Sequence, residues 1–551
     1  MDSLRIVPLG GLGEFGGNML AVEWGDSVIA VDCGVMFPGP ELLGIDLVIP
    51  DISYLEEPGK TPQAIILTHA HEDHIGALPY VLKRFQVPVY GTRLTLGFLR
   101  HKLSEHRLEQ STELVEIVPG ERFAVGPFTL EGIPVTHSLV DCIALAIETP
   151  IGTIVHTGDF KIDNTPMAGQ SFDFHRFAAY GDKGVLLLLS DSTNVERRGS
   201  TPSERVVGEG LRGIFSSSPG RIFIATFASH IPRIQQVSEL AADFGRKLVL
   251  SGRSIIKNTG IAEDLGYLRL PDDVMTDNQG WRDVADDQLC FLTTGSQGEP
   301  LSVLHRVAFD EHRSIRIQPG DTVVLSARFI PGNEKTISNL INHLYRRGAR
   351  VHYERTSEIH VSGHASQEEL KTMIQLTRPR YFVPLHGEFR QLCKHIELAQ
   401  AVGIPWDHCF LMESGDVLEI NGADAVRVDP VAAGKVFVDG KGIGDVEDIV
   451  IRDRRHLSED GLVVVAMAVH QRTGEVTAGP DLLARGFMRL EEEDDVLGTA
   501  RDSLREYIEG CGVEMRTDSA ELKEGIRRSL RKFFEKRLHR RPVIVPYIME
   551  M

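Results

Sequence analysis

Cysteine is scarce in this chain: six residues in 551, standing singly at positions 33, 142, 290, 393, 409 and 511, with no Cys-x-x-Cys pair. That usage argues against a disulfide scaffold, excludes a thiolate metal site and fits a reducing cytoplasm. Long apolar runs are missing too. One of the richest, Gly184-Val-Leu-Leu-Leu-Leu-Ser190, is far too short to span a bilayer, so no membrane is expected as a partner. The start, Met1-Asp-Ser-Leu-Arg5, runs straight into Ile6-Val7 without the charged-then-apolar pattern of a leader, and a cytoplasmic protein is expected. Positive charge is also in deficit, with a formal net charge of −19. A polyanion is held by local field and not by net charge, so the deficit does not exclude nucleic acid.

Histidine and aspartate are present where they matter. His69-Ala-His71-Glu-Asp73-His74 packs four metal-capable side chains into six residues. Gln63-Ala-Ile-Ile-Leu-Thr68 before it reads as a buried strand, and Ile75–Phe85 after it carries apolar residues at helical spacing. The four ligands therefore sit on a strand-to-helix turn. A lone histidine is usually packing or surface, but four ligands at H-x-H-x-D-H spacing point to metal. Imidazole with carboxylate and no thiolate suits zinc or another borderline divalent ion, and two ligand pairs on one turn suggest two ions.

Further candidates fall where apolar runs end. His137 follows Ile133-Pro-Val-Thr136, Asp159 follows Ile154-Val-His-Thr157, and His386 follows Phe382-Val-Pro-Leu385. Each alone could be structural. Together with the first motif they make seven side chains, one of them able to bridge two ions. By contrast, Gly11-Leu-Gly13-Glu-Phe-Gly16 matches a dinucleotide pattern only superficially. Asn18-Met-Leu-Ala-Val22 after it reads as a strand, so there is no helix N-terminus to hold a pyrophosphate, and a glycine hairpin loop is expected.

Residues 1–205 alternate short β-like runs with turns; 206–357 read as α/β; 358–438 return to the first texture. A Gly- and Asp-rich connector, 439–460, leads to a last unit, 461–551, read as strand, acidic break at Glu491–Asp495, two helices and a closing strand. Lys523, Arg527, Arg528, Arg531, Lys532, Lys536, Arg537, Arg540 and Arg541 alternate there with Ile526, Leu530, Phe533, Phe534 and Leu538. This is a docked helix whose basic face is either simply solvated or in contact with RNA.

The order H-x-H-x-D-H, His137, Asp159 resembles the metallo-β-lactamase superfamily. The inserted α/β segment, followed by Ser362-Gly-His364 and His386-Gly-Glu388, resembles its β-CASP nucleases. Thr294-Gly-Ser-Gln-Gly-Glu-Pro300, His360-Val-Ser-Gly-His-Ala-Ser366 and the ending Arg540–Glu550 are similar to bacterial ribonuclease J across essentially the whole chain. The fold so implied is an αββα sandwich with an inserted β-CASP domain and a small α+β C-terminal domain.

The resemblance also implies roles. His69, His71 and His137 would hold one zinc, Asp73, His74 and His386 a second, and Asp159 would bridge; manganese or magnesium could serve in vitro. His364 would protonate the departing 3′-oxygen, Asp191 would orient His364, and Asp32 would steady the metal histidines. Asp73 is counted with the catalytic set. Ser229, His230, His360, Val361, Ser362, Gly363 and His364 would cradle a nucleotide phosphate, with His230 standing where the family pattern has Asn. Gly44, Asp46 and Asp439 resemble a structural calcium or manganese site. The activity implied is 5′→3′ exonuclease and endonuclease cleavage of single-stranded RNA in rRNA and mRNA maturation and decay, favouring 5′-monophosphate ends. Homodimers or homotetramers through the C-terminal domain, and other RNA-degradation proteins, are the implied partners. A thioester or lactone hydrolase would share the first motif but leave the insertion without a purpose. A silent RNA-binding subunit would be marked by a lost ligand, and none is missing.

Overall fold

A computed structural model describes residues 3–551 except 40, 277–279, 331, 355, 423, 441, 445–447 and 489. Two compact units emerge: residues 1–37 with 48–436, and residues 38–47 with 437–551.

In the first unit two sheets face each other. One has eight strands in the order 425–428, 417–420, 4–10, 19–24, 27–31, 65–66, 89–91, 114–116; the other has six, in the order 381–385, 185–191, 152–156, 143–149, 128–134, 122–125. Ile6, Val22, Ile29 and Ile66 of the first sheet share one core with Leu130, Leu145, Ile154, Leu187 and Val383 of the second. Strands buried on both faces read as continuous apolar runs, as Leu186-Leu-Leu-Leu189 does. Helices Arg93–Glu105, Phe174–Lys183, Gln367–Thr377 and Phe389–Ala401 complete the αββα layering. Leu4–Gly10 pairs antiparallel with Met19–Trp24, so the glycine segment between them is a hairpin loop and not a nucleotide turn.

The insertion leaves after Val185–Asp191 and returns before Tyr381–Leu385. Its five strands, in the order 247–251, 289–293, 222–225, 322–325, 350–352, are all parallel and alternate with helices. Parallel pairing requires such crossovers, which is why the sequence texture changes there.

The second unit holds a sheet in the order 476–485, 462–469, 543–550, with helices Leu490–Glu509 and Ser519–Leu538 packed on its face. Three features differ from the sequence expectation. The connector contains a helix, Asp448–Asp460; a strand, Val476–Arg485, precedes the acidic stretch; and that stretch opens a helix instead of breaking the chain. Carboxylates in a first helical turn are favourable to the helix dipole, so acidity there is compatible with helix. No helix among the described residues is long and apolar enough to cross a membrane.

Candidate metal centre and phosphodiesterase site

The site is assembled at the carboxyl ends of strands that run in one direction. In the six-stranded sheet, Gly152–His156, Val185–Asp191 and Tyr381–Leu385 are adjacent and parallel, with Asp191 opposite Leu385. Their ends deliver Asp159, Asp191 and His386 side by side. In the facing sheet Ser27–Val31 and Ile65–Ile66 are also parallel, and they deliver Asp32 and the His69–His74 turn. Glu72–Ile75 is a single helical turn, which brings Asp73 and His74 back beside the first two histidines, with the His69 and His74 ring centroids 4.0 Å apart. Two of the residues involved adopt left-handed backbone, Asp32 (φ 59°) and His386 (φ 53°). Such a conformation costs about 1 kcal/mol or more in non-glycine residues and persists only where surrounding contacts enforce it.

Two ligand groups converge, sharing Asp159: His69, His71, His137 with Asp159, and Asp73, His74, His386 with Asp159. In the first, His69 Nε2 lies 3.0 Å from His71 Nδ1, and His137 Nε2 lies 3.2 Å from the same nitrogen. Asp159 Oδ2 is 3.7 Å from His69 Nε2 and 3.9 Å from His137 Nε2. In the second, Asp159 Oδ2 is 3.3 Å from His74 Nε2 and 3.5 Å from His386 Nε2, while Asp73 Oδ2 is 3.3 Å from His386 Nε2. Donor atoms about 3.4 Å apart are what four ligands at zinc–nitrogen distance would show in a tetrahedron.

The outward ring nitrogens fix which lone pairs face inward. His137 Nδ1 donates to the Gly363 carbonyl at 2.8 Å, His74 Nδ1 pairs with Asp32 Oδ2 at 2.8 Å, and His386 Nδ1 meets Thr193 Oγ1 at 2.7 Å. Asp32 also accepts from the Thr68 N–H and hydroxyl, both at 2.8 Å, which ties the first ligand turn to the strand before it. Such outer partners orient the ligating nitrogens. The approach of residue 363 to His137 leaves no room for a side chain, because a Cβ there would lie 2.7 Å from the ring.

Electrostatics divide the two groups. Burial, reinforced by neighbouring histidines, holds His69 and His137 well below the usual imidazole range and brings His71 down to about 4. These three are neutral, with lone pairs converging on one point. Burial acts in the same direction on His74 and His386, but the carboxylates around them win: Asp159, Asp32 and Asp73 hold His74 well above its usual value, and His386 rises to about 9. Against its own burial, Asp159 is held well below the usual carboxylate range by His386, His74 and His364. The second group thus favours a positive charge at its centre, which a divalent cation would supply. The donor set therefore fits the metal that the sequence implies.

His364 lies at the edge of this centre, its ring 4.9 Å from that of His137 and 5.4 Å from that of His386. Its Nδ1 is 2.8 Å from Asp191 Oδ2, and the other Asp191 oxygen accepts from the Thr193 N–H at 2.9 Å and hydroxyl at 2.7 Å. Asn194 donates to Ser362 Oγ at 2.7 Å and to the His364 carbonyl at 3.0 Å, so it fixes the loop that carries His364. Arg328 in turn donates to Asn194 Oδ1 at 2.8 Å; it is half-buried, with Arg197 near enough to disfavour its charge.

The expected phosphate-cradle residues separate into two groups. Ser362, Gly363 and His364 sit against the metal centre, and Val361 is buried beside them. Ser229 is half-buried at the start of helix Ile231–Asp243. His230 is drawn into a buried cluster: its Nε2 is 3.3 Å from Glu204, whose other oxygen pairs with Arg233 at 2.6 Å. His360 Nδ1 is buried without a hydrogen-bond partner among the described residues. Thr68, Thr193, Asn194, Glu204, Arg233 and Arg328 all serve this region, and sequence reasoning gave none of them a role. Thr193 and Asn194 follow Asp191 closely in the sequence, and that proximity was the available signal.

In the second unit, Asp46 Oδ2 accepts from the Gly440 N–H at 2.8 Å. Arg454 pairs with Asp439 and donates to the Leu43 carbonyl at 3.0 Å, and its guanidinium stands 2.8 Å from where a Cβ on Gly44 would be. A guanidinium, then, stands among the oxygens that the resemblance assigns to a hard cation.

Comparison with known proteins bears on the whole chain. Residues 12–189 match the metallo-beta-lactamase superfamily, 219–344 the "Ribonuclease J, beta-CASP domain", 348–410 the "Zn-dependent metallo-hydrolase RNA specificity domain", and 449–551 the "Ribonuclease J C-terminal domain". The chain is 43% identical to Ribonuclease J of Thermus thermophilus, covering all of this chain and 96% of that protein. It is 39% identical to Ribonuclease J2 of Bacillus subtilis, covering all of this chain and 99% of that one. A solved protein of unknown function from Enterococcus faecalis, 18% identical, shares the fold with a TM-score of 0.53 over 76% of this chain and all of its own.

Proposed function

The chain belongs to the ribonuclease J family of metal-dependent ribonucleases, and from that premise we propose that it cleaves single-stranded RNA both 5′→3′ from 5′-monophosphate ends and internally. Its setting is maturation and decay of rRNA and mRNA in the cytoplasm. The observation that carries the reading is the His364–Asp191 pair at the edge of two ligand groups that share Asp159.

Two zinc ions are the proposed complement: His69, His71 and His137 would hold one, Asp73, His74 and His386 the other, and Asp159 belongs to both ligand groups. Metal bound there would supply an activated water and neutralise charge on the phosphate. The chain's own groups do the rest. His364 gives its proton to the departing 3′-oxygen, and Asp191 holds the ring and stabilises it while protonated. Thr193 fixes Asp191 and His386 together. Ser362 and the Gly363–His364 backbone lie where a substrate phosphate can be received. Ser229, His230 and His360 lie on the β-CASP side and are assigned to the 5′-terminal phosphate. A phosphate held there would set how much RNA is released per cut. All seven ligand positions are filled by metal-binding residues, which favours an active enzyme over a silent subunit. Gly44, Asp46 and Asp439 keep an assignment to a structural cation only if Arg454 can swing away.

The second unit is assigned to homodimer or tetramer formation. Leu483, Val545, Tyr547 and Met549 are exposed on its sheet, and Val464 pairs with both Leu483 and Val545, which places them on one face. Other RNA-degradation proteins are proposed as further partners.

The test is digestion of RNA labelled at a 5′-monophosphate, beside its triphosphate twin, with and without chelator. Chelator-sensitive release of labelled mononucleotide, faster from the monophosphate, is expected. Intact RNA in the presence of a full metal complement would overturn the reading.

A further inference from the structure

The helix Ser519–Leu538 holds its unit together through one face and carries an excess of positive charge on the other. Leu522, Ile526, Leu530 and Phe534 are buried in the core against the sheet. From Ser519 to Arg541 the sequence has nine Lys and Arg against three Glu, in a chain whose formal net charge is −19. Arg527, Arg528, Arg531, Lys532, Lys536 and Arg537 are all exposed. Glu524 reaches Arg527 at 3.4 Å, and Glu535 is engaged by Arg541. Among the described residues no carboxylate lies within ion-pair distance of Arg528, Arg531, Lys532 or Lys536.

This arrangement is costly for a face that meets only water. Residues four apart are neighbours on a helix, and the pairs 527/531, 528/532 and 532/536 each place like charges together. Each such pair destabilises a helix by roughly 0.2–0.5 kcal/mol. Solvated helices usually alternate sign, which turns the same positions into favourable pairs.

We propose that the outward face of helix Ser519–Leu538 binds the sugar-phosphate backbone of RNA as an accessory surface, built from residues other than those of the metal centre. The inference takes RNA as the substrate. The helix is about 30 Å long, and its stacked cations recur every four residues, about 6 Å along the axis. That is a row suited to successive phosphates of an extended strand, and it asks nothing of the bases. Arg and Lys there act through charge and counterion release, so binding is insensitive to sequence and steeply dependent on salt. An acidic surface of a second copy of this chain would satisfy the same cations, and the test separates that outcome.

The experiment uses the full chain with Arg528→Gln, Arg531→Gln and Lys532→Gln together, since Gln keeps the helix propensity of the residues it replaces. Both this protein and its parent carry His364→Ala to silence cleavage. Fluorescence anisotropy reads binding of a 5′-monophosphorylated strand of about 30 nucleotides and of a hexanucleotide across a salt series. For the long strand the log–log salt slope should fall by about 2, on the order of 0.7 per charge removed, with affinity at low salt weakened roughly tenfold or more. The hexanucleotide, held by the metal cleft, should lose far less. An unchanged slope for the long strand overturns the proposal, as does a changed oligomeric state with the slope intact. Failure of the protein with His364 intact to bind a cleavage-resistant hexanucleotide would instead count against RNA as the ligand of the metal cleft. Because the substitutions relieve repulsion, the variant should melt no lower than its parent; a lower melting temperature would mean that the face packs within the protein and would also overturn the proposal.

Discussion

His364 Nδ1 lies 2.8 Å from Asp191 Oδ2, across 173 residues of sequence that include the whole inserted domain. The pair joins the end of one sheet strand to the loop that re-enters the sandwich after the insertion. The contact sets beside the metal centre the residue proposed above as the proton donor. His364→Ala should therefore slow RNA cleavage by about 10²–10⁴-fold with metal content unchanged. Elemental analysis of the purified variant checks it, and metal loss would reassign His364 as a ligand.

Metal-ligand substitution should behave differently. His74 is buried and pairs through Nδ1 with Asp32 while its Nε2 faces Asp159. His74→Ala should abolish hydrolysis and lower bound metal, with the circular dichroism spectrum largely retained. An active variant would remove the two-ion arrangement. Asp159→Ala, which strips the shared oxygen from both groups, should lose more metal than any single histidine variant.

Much of this centre was legible in the sequence because metal chemistry uses few residue types at strand ends. The His69–His74 turn, His137, Asp159 and His386 could be picked out by type and position alone. Helix Gln367–Thr377 is closed at its start by a capping box of Ser366 and Glu369. What escaped lacks such a signature. Thr193 and Asn194 are ordinary loop residues until Asp191, His386 and Ser362 surround them. Strand Val476–Arg485 contains Gly479-Pro480, which reads as a turn, and it survives as a strand because it lies at the sheet edge, where proline is tolerated. Helix Asp448–Asp460 is dense in charge, and Ile451 is its one side chain of the buried core among the described residues.

Thr193 gives a sharper probe of the outer partners than any ligand. Its hydroxyl meets both Asp191 and His386 at 2.7 Å, so one atom holds together the carboxylate that pairs with His364 and a proposed metal ligand. Thr193→Val keeps the shape and removes the oxygen. Activity or metal affinity should fall by roughly 10–100-fold. Thr193→Ser should restore most of it, and failure of that rescue would point to packing in place of the hydrogen bonds.

The exposed sheet face of the C-terminal unit should be where copies meet. Leu483 and Tyr547 are 51% and 62% exposed, on strands flanking Leu462–Val469. Leu483→Glu with Tyr547→Glu should shift the protein to monomer in light scattering without lowering its melting temperature as a folded unit. An unaltered oligomer would move the interface elsewhere.

Glu204 and Arg233 test how much the β-CASP side depends on a buried charge pair. Glu204 is 3% exposed and Arg233 0%, and Arg233 also bonds Gln236, Ser326 and the Ile359 carbonyl. Despite burial, which would raise it, the Glu204 carboxyl is held well below its usual value of 4.5 by Arg233 and His230. A depressed folded-state value means that the unfolded chain binds the proton more readily. The stability this carboxylate contributes is therefore complete above about pH 4.5 and drains away as pH falls below it toward the folded value. Glu204→Gln leaves the guanidinium buried without its counter-charge, which should cost roughly 3–5 kcal/mol near neutrality. Urea midpoints for parent and variant, followed from neutrality to about pH 3.5, should differ most at the top of that range and converge toward the bottom. Carboxylates of the metal centre titrate in both proteins and cancel in the difference. A gap that stays constant with pH would show that Glu204 supports this region by shape and hydrogen bonding, not by its charge.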